Sequence, residues 1–270
     1  MIVDFHSHTK ESDGSLTPQA LADYMGEREV EVFSISDHDT LSAYGAFRLP
    51  PGARVVTGIE INTTWRDNEV HLLGYALPLD DVSPLTAMLE RNRAERRTRV
   101  TSMVEQLQAG GYRIVLDDVL REAVGSKSLG RPHVAKALVR MGAAGDVESV
   151  FRLLLRRGRP GYVPSIHITP QEAIARIRDC GGTAVLAHPG RLKDRAIIDA
   201  LVPSGLHGLE VFYPQHDADD VRFFTEKARE HRLVMTAGSD FHDIRYHRHG
   251  VGMDVDREAI APFLERVGVA

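Results

Sequence analysis

The sequence has one cysteine, no excess of basic residues and no apolar run near the roughly 18 residues of a membrane span. Each absence excludes something. A lone thiol, Cys180, forbids an intrachain disulfide and fits a reducing cytosol. Lys and Arg number 33 against 38 Asp and Glu, a formal charge of −5. The chain as a whole therefore does not attract nucleic acid, and such a partner needs a local positive site. The opening MIVDFHSHTKESDG has neither a basic n-region nor an apolar h-region, so no secretory signal is expected and the expected location is the cytoplasm. Repeats and low-complexity tracts are also lacking, which argues against an interaction scaffold.

The composition is otherwise that of an ordinary globular protein: 270 residues, 43% hydrophobic and 26% charged. That suffices for one large α/β domain, or a barrel carrying an insertion. Strand patterns occupy residues 2–6, 31–36, 54–62 and 69–76. A helix lies between the first two, with Thr17 as cap, Pro18 at its first position and Leu21, Tyr24 and Met25 on one face. A second cap-and-proline pair, Ser83–Pro84, opens a stretch that is helical only, to residue 109 and then around 116–124, 133–141 and 146–157. Glycines separate these helices, and GRPGYVP at 158–164 reads as a linker. Alternation returns with helices at 170–180, before 201 and at 218–231, and strands at 183–187, 208–212 and 233–237. The expectation is an α/β fold of seven parallel strands with helical crossovers, closing towards a barrel. Residues 1–78 and 164–270 would form it, and 79–163 would be an all-helical inserted subdomain.

Thirteen histidines gather beside acidic residues. His6 and His8 close the first strand in DFHSH, His38 follows the second in ISDHD, and Glu60 lies late in the third in TGIEIN. His188 ends the fifth in VLAHPG, and Asp240 and His242 end the last in TAGSDFH. His71, near the start of the fourth in EVHLLGY, is the outlier, and Asp13 adds a carboxylate from the ESDGSLTP loop. Carboxyl ends of strands are where α/β folds bind ligands, and i, i+2 residues share a face, so His6 and His8 can converge. Nine such groups exceed the four that one zinc takes and fit two or three divalent ions sharing bridging ligands. Imidazole with carboxylate suits Mn²⁺, Fe²⁺ or Zn²⁺, Mn²⁺ being the leading expectation because no thiolate favours zinc. Three such ions would outweigh three carboxylates and leave a positive pocket suited to a phosphate dianion.

Together, DFHSHTKESDGSLTP, ISDHDT, GIEIN, HLLGY, AHPGR and GSDFH resemble the polymerase and histidinol phosphatase (PHP) metal-dependent phosphoesterases. The resemblance covers roughly residues 1–78 and 164–250. It implies a distorted (β/α)7 barrel. One ion would sit on His6, His8, Glu60 and Asp240, a second on Glu60, His71 and His188, and a third on Asp13, His38 and His242. GRPHVAKAL, GRPGYV, AHPGR and FYPQH are most similar to the branch with 3′,5′-nucleoside bisphosphate phosphatases and a related 5′-to-3′ RNA exonuclease.

The expected chemistry is attack on phosphorus by a hydroxide bridging two ions, with Glu60, Asp240, His188 and His216 in the catalytic set. Arg131 and Arg191 are expected to clamp phosphate, and His133 and His216 to contact substrate or protonate the leaving oxygen. His133 reads alternatively as a helix cap. Arg91, Arg93, Arg96, Arg97 and Arg99 form either an RNA track or, as we prefer, a solvated helix face. Asp37 and Asp39 would orient His38 or cap the next turn, and His207, His231, His247 and His249 take surface roles. The expected function is removal of the 3′-phosphate from a 3′,5′-nucleoside bisphosphate, with trimming of short 5′-phosphorylated RNA. No membrane or obligate protein partner is expected. The alternatives are a phosphatase for another small monoester such as histidinol phosphate, a cyclic-phosphate hydrolase, or a non-catalytic nucleotide-binding module.

Overall fold

The computed structural model describes residues 1–270 except 67, 80–82, 166–167 and 246–248. His247 lies outside them, as do the side chains of the Ser83–Pro84 cap. The chain begins β1 (Ile2–Asp4), α1 (Pro18–Glu27), β2 (Val32–Phe33), β3 (Arg54–Val55), β4 (Gly58–Trp65) and β5 (Asn68–Tyr75). Helices α2 (Ser83–Ala109), α3 (Leu116–Glu122), α4 (Arg131–Arg140) and α5 (Val147–Val150) follow, the last running into a π-helical turn at Phe151–Leu155. Then come α6 (Pro170–Asp179), β6 (Thr183–Leu186), α7 (Ile197–Leu201), β7 (Gly208–Phe212), α8 (Ala218–Glu230) and β8 (Val234–Ala237). The chain ends with β9 (Met253–Asp254) and α9 (Arg257–Arg266).

Strand order is β3-β2-β1-β9 in one sheet and β4-β5-β6-β7-β8 in the other. Helix α1 makes the first crossover. The Thr17 hydroxyl accepts from Ala20 N–H at 3.2 Å, and Pro18 occupies the first turn, where an N–H would lack a partner. Leu21 and Met25 are buried against Phe33 and Ile35. Each such burial contributes roughly 1.5–3 kcal/mol.

Two seams join the sheets. At one, Asp240 N–H donates to His6 O at 2.7 Å and His8 N–H to Phe241 O at 2.8 Å. At the other, Asp39 N–H donates to Glu60 O at 2.9 Å and Glu60 N–H to Ser36 O at 3.1 Å. Ser7–Phe241 and His38–Glu60 are single bridges, so the described residues form two ladders rather than one closed one. Tyr44 reinforces the second seam: its hydroxyl accepts from Gly58 N–H at 2.7 Å and Ile35 N–H at 3.0 Å, and lies 2.7 Å from Ile35 O.

The expectation of parallel strands throughout fails at β5, which is antiparallel to both β4 and β6. Trp65 pairs with Asn68, so two residues join β4 to β5, and a connection that short permits only antiparallel neighbours. The expected strand at 54–62 is two, β3 and β4. The expected helix at 146–157 is α-helical only over Val147–Val150. Beyond it, the wide π turn places Leu154 and Leu155 together in an apolar core. That core also holds Val100, Leu107, Val119, Val134 and Leu138, whereas Leu85, Met88 and Leu89 at the start of α2 belong to the core over β4–β8. Sequence reading missed β9 and α9. Asp256 caps α9, whose Phe263 packs edge-on against Phe5 with ring centroids 4.8 Å apart.

Tyr44→Phe should leave two buried N–H groups without their acceptor and cost about 2 kcal/mol in urea unfolding. An unchanged midpoint would remove Tyr44 from any role at the seam.

Candidate metal centre

Strand ends deliver the polar groups. His6 and His8 leave β1 two residues apart, and Asp240 and His242 leave β8 the same way. The antiparallel β5 explains the outlier: His71 pairs with Asn62, so the beginning of this strand lies beside the end of β4. The nine expected ligands form three overlapping groups: His6, His8, Glu60 and Asp240; Glu60, His71 and His188; and His8, Asp13, His38 and His242. The third group includes His8, which sequence reading assigned only to the first.

In the first group, His6 Nε2 lies 3.3 Å from Glu60 Oε2 and 3.4 Å from Asp240 Oδ1. His8 Nε2 lies 3.2 and 3.3 Å from the same two oxygens. Ligands on one tetrahedral ion at about 2.0–2.1 Å are separated by about 3.3–3.4 Å. Glu60 Oε1 faces the other way, 2.7 Å from His71 Nδ1 and 3.1 Å from His188 Nε2. In the third group, His242 Nε2 is 3.3 Å and His8 Nδ1 3.8 Å from Asp13 Oδ1. His38 Nε2 is 3.7 Å from Asp13 Oδ2. Glu60 Oε2, His6 Nε2, His8 Nε2 and His38 Nδ1 are buried without a hydrogen-bond partner, as expected of atoms shaped to hold cations.

Charge tells the same story. Burial opposes ionisation of Glu60, but His38, His71 and His6 outweigh it and hold the carboxyl well below its usual range. Asp13 and Asp240 are also held well below, by His38 and His242 and by His6 and His242 respectively, despite burial. Burial likewise resists charge on His8, yet Asp240, Glu60 and Asp13 raise its pKa to about 10. Buried His188 falls to about 4. Three ionised carboxylates in the interior need positive charge beside them, from protonated imidazoles or from divalent cations.

Further buried acids, not singled out from the sequence, set this geometry. Glu210 accepts from His6 Nδ1 at 3.0 Å and from His188 N–H at 2.7 Å. Asp4 accepts from Ser239 Oγ at 2.6 Å and Gly252 N–H at 2.9 Å. Their signal was a charged residue inside the apolar strands IVD and GLEVF. Asp37 binds Thr9 and Ser12, fixing the loop that carries Asp13, and Asp39 accepts from Asn92 of α2 at 2.9 Å. Neither aspartate is bonded to the His38 ring it was expected to orient. His188 and Asp240 adopt positive φ, 29° and 54°, strain that the surrounding bonds sustain at the centre itself.

A cavity of about 700 Å³ opens over the cluster. Helical-region residues Val100, Met103, Leu129, Val147 and Phe151 give it an apolar side, and Arg131 and Arg191 also line it. Arg131 donates to Glu69 at 2.8 Å, and Arg191 to Asp240 Oδ2 at 3.2 Å. Geometry departs from expectation at His216, while His133 takes its alternative role as a helix cap. His216 Nδ1 donates to Val211 O at 2.9 Å while Nε2 accepts from Gly190 N–H at 3.0 Å, leaving no ring nitrogen for substrate. His133 is not among the cavity-lining residues, and its Nδ1 accepts from Gly130 N–H at the start of α4. In the arginine series of α2, Arg91 pairs with partly exposed Glu172, but Arg96 and Arg99 line the cavity, so the solvated-face reading holds for only part of the helix. Among the described surface candidates, His207 accepts from Ala184 N–H and His231 pairs with Asp199.

No protein-family model matches the chain. It is 34% identical over 250 residues to a 3′,5′-nucleoside bisphosphate phosphatase of Chromobacterium violaceum, covering 89% of this chain and 87% of the relative. It is 36% identical over 253 residues to the 5′-3′ exoribonuclease Rnm of Escherichia coli, covering 90% and 85%. The chain belongs to the PHP family of metal-dependent phosphoesterases. A phosphoribosyl 1,2-cyclic phosphate 1,2-diphosphodiesterase of Eggerthella lenta is 32% identical over 249 residues, covering 90% and 94%. A solved amidohydrolase structure from Chromobacterium violaceum, with bound sulfate and no metal, superimposes with a TM-score of 0.88 at 30% identity, covering 98% and 96%. This PHP protein is thus a hydrolase of phosphoric esters with sites for divalent metal, and the reading as a non-catalytic module falls away. Among the described residues, no helix is long and apolar enough to cross a membrane.

Glu210→Gln should weaken divalent-metal affinity by about 10–100-fold in a metal titration, since a partner that orients a metal-binding imidazole is lost. Unaltered affinity would separate Glu210 from metal binding.

Proposed function

We propose that this enzyme removes the 3′-phosphate from 3′,5′-nucleoside bisphosphates and trims short 5′-phosphorylated RNA. It would do so in the cytoplasm with two or three divalent ions, Mn²⁺ ahead of Fe²⁺ or Zn²⁺. The observation that carries the reading is one cavity with two chemically different sides: the cluster of imidazoles and carboxylates, all of which line it but His6 and His8, and an apolar wall with arginines wide enough for a nucleoside. The bisphosphate phosphatase and exoribonuclease relatives support it. So does the hydrogen-bonded circuit β1, β2, β4–β8, which we read as the distorted seven-stranded barrel, with residues 79–163 as its inserted subdomain.

His6, His8, Glu60 and Asp240 would hold one ion, Glu60, His71 and His188 a second, and Asp13, His38 and His242, with His8 alongside, a third. Bound there, divalent cations supply Lewis acidity, lowering the pKa of water to about 7 and offsetting charge on phosphoryl oxygens. The remaining work belongs to the side chains. Glu60 gives one oxygen to each of two groups and so fixes their spacing. Tyr213 OH and Arg191 both donate to Asp240 Oδ2, which turns Oδ1 towards His6 and His8. Arg191 and Arg131 present guanidinium forks to the phosphate. His216 braces the turn carrying His188 and Arg191 from behind, through Gly190, and His133 caps α4 beside Arg131.

A second reading, hydrolysis of a cyclic phosphodiester, is favoured by the Eggerthella relative. Phosphate release and product analysis with adenosine 3′,5′-bisphosphate, histidinol phosphate, a ribose cyclic phosphate and short 5′-phosphorylated RNA, each with Mn²⁺, decide between them. Efficient turnover of the bisphosphate supports the proposal. Exclusive opening of the cyclic ester would replace it. Glu60→Gln should lose bound metal by elemental analysis and turnover by about 100-fold or more; full metal content would contradict the shared carboxylate. Arg191→Ala should raise KM for the phosphate ester by about tenfold with modest change in metal content, and a pure metal-loss phenotype would refute the clamp.

A further inference from the structure

We infer that Arg156, placed by the π-helical turn, binds a second phosphate of the substrate, the one that is not hydrolysed. This rests on the bisphosphate reading and names the residue that gives it selectivity. Besides Arg156, six other cations among the described residues line the cavity, and each is already engaged by the protein. Arg96 donates to Leu129 O, Arg99 to Val163 O, Arg131 to Glu69, Lys136 to Asp13 O, Arg191 to Asp240 and Arg245 to Asp243. Among the described cavity residues, Arg156 is the cation whose side chain has no hydrogen-bond or ion-pair partner. Glu148, on the same wall, does not pair with it. A guanidinium with all five donors uncommitted is the group that an incoming phosphate engages at least cost to internal bonds.

The backbone explains why an arginine is there. Val147, Glu148 and Phe151 line the cavity, and α-helical spacing would bring residue 155 next onto that face. Instead Arg156 N–H donates to Phe151 O, five residues back, at 3.0 Å. The wider turn delays the face by one residue, so Leu154 and Leu155 stay buried while Arg156 reaches the cavity. Single π turns of this kind are uncommon and recur at functional sites. Arg156 also sits on the helical side of the cavity, away from the strand ends that bear the metal-binding groups. A molecule spanning the two sides needs an anion at each end.

The test is steady-state kinetics of wild-type enzyme and Arg156→Ala with Mn²⁺ on three substrates. These are adenosine 3′,5′-bisphosphate, adenosine 3′-monophosphate and short 5′-phosphorylated RNA. The expected result is a roughly 10–100-fold fall in kcat/KM for the bisphosphate, through KM, no change for the monophosphate, and partial recovery in Arg156→Lys. A thermal melt matching wild type confirms that the exposed substitution leaves the fold intact. Equal losses on both nucleotides, or a preference for the bisphosphate that survives in the variant, would overturn the role of Arg156 while leaving the proposed function standing. A loss confined to RNA would assign Arg156 to a chain phosphodiester and overturn the small-molecule assignment. Wild-type enzyme inactive on both nucleotides would end both proposals.

Discussion

A buried carboxylate in the midst of imidazoles is the constraint from which the rest of this structure follows. Glu60 is almost wholly enclosed, with His6, His8 and His38 near one oxygen and His71 and His188 near the other. An isolated ion at that depth would be prohibitively costly, so the carboxylate is stable only with positive charge on both sides. The fold meets that demand by bringing five chain segments to one place, and the two seams between the sheets cross it. Residue 60 itself supplies backbone groups to one seam, so the ladder and the chemistry share an amino acid.

Much of this was written in the sequence at short range. HSH and DFH announce paired side chains on strand ends because a strand repeats every two residues, and Thr17 with Pro18 announces a helix start because the hydroxyl accepts from one open N–H and the proline lacks another. The divergences are all of longer range. Nothing within EVHLLGY tells that the strand runs backwards; the evidence lies in the two-residue gap to Trp65, and only pairing across that gap makes His71 an ordinary strand-end ligand. His216 looked chemically available because sequence shows a ring and not its neighbours. Both nitrogens are consumed by backbone groups that only the fold brings near. Glu210 and Asp4 were detectable as charges within apolar strands, yet an acidic residue there has several explanations until its donors are known.

The protein also separates two tasks. Strand ends and short turns hold the candidate metal-binding groups in heavily bonded conformations, strained at His188 and Asp240, where a shift of half an ångström would matter. The helical region contributes a wall of another character, apolar with guanidinium groups, and ties it to the cluster below through Lys136 at Asp13 O and Asn92 at Asp39. Relatives named for a bisphosphate, for RNA and for a cyclic ester match 89%, 90% and 90% of this chain, so a shared fold carries different named activities.

Helix α2 has a consequence for how the cavity chooses its occupants. At 27 residues it is about 40 Å long, its first turns sunk in the core over one sheet and its later turns in the core of the helical region. A continuous rod anchored in two cores works as a girder rather than a hinge. The strand-end floor and the facing wall are accordingly tied by one unbroken element, which sets the span that an occupant of the proposed site has to match.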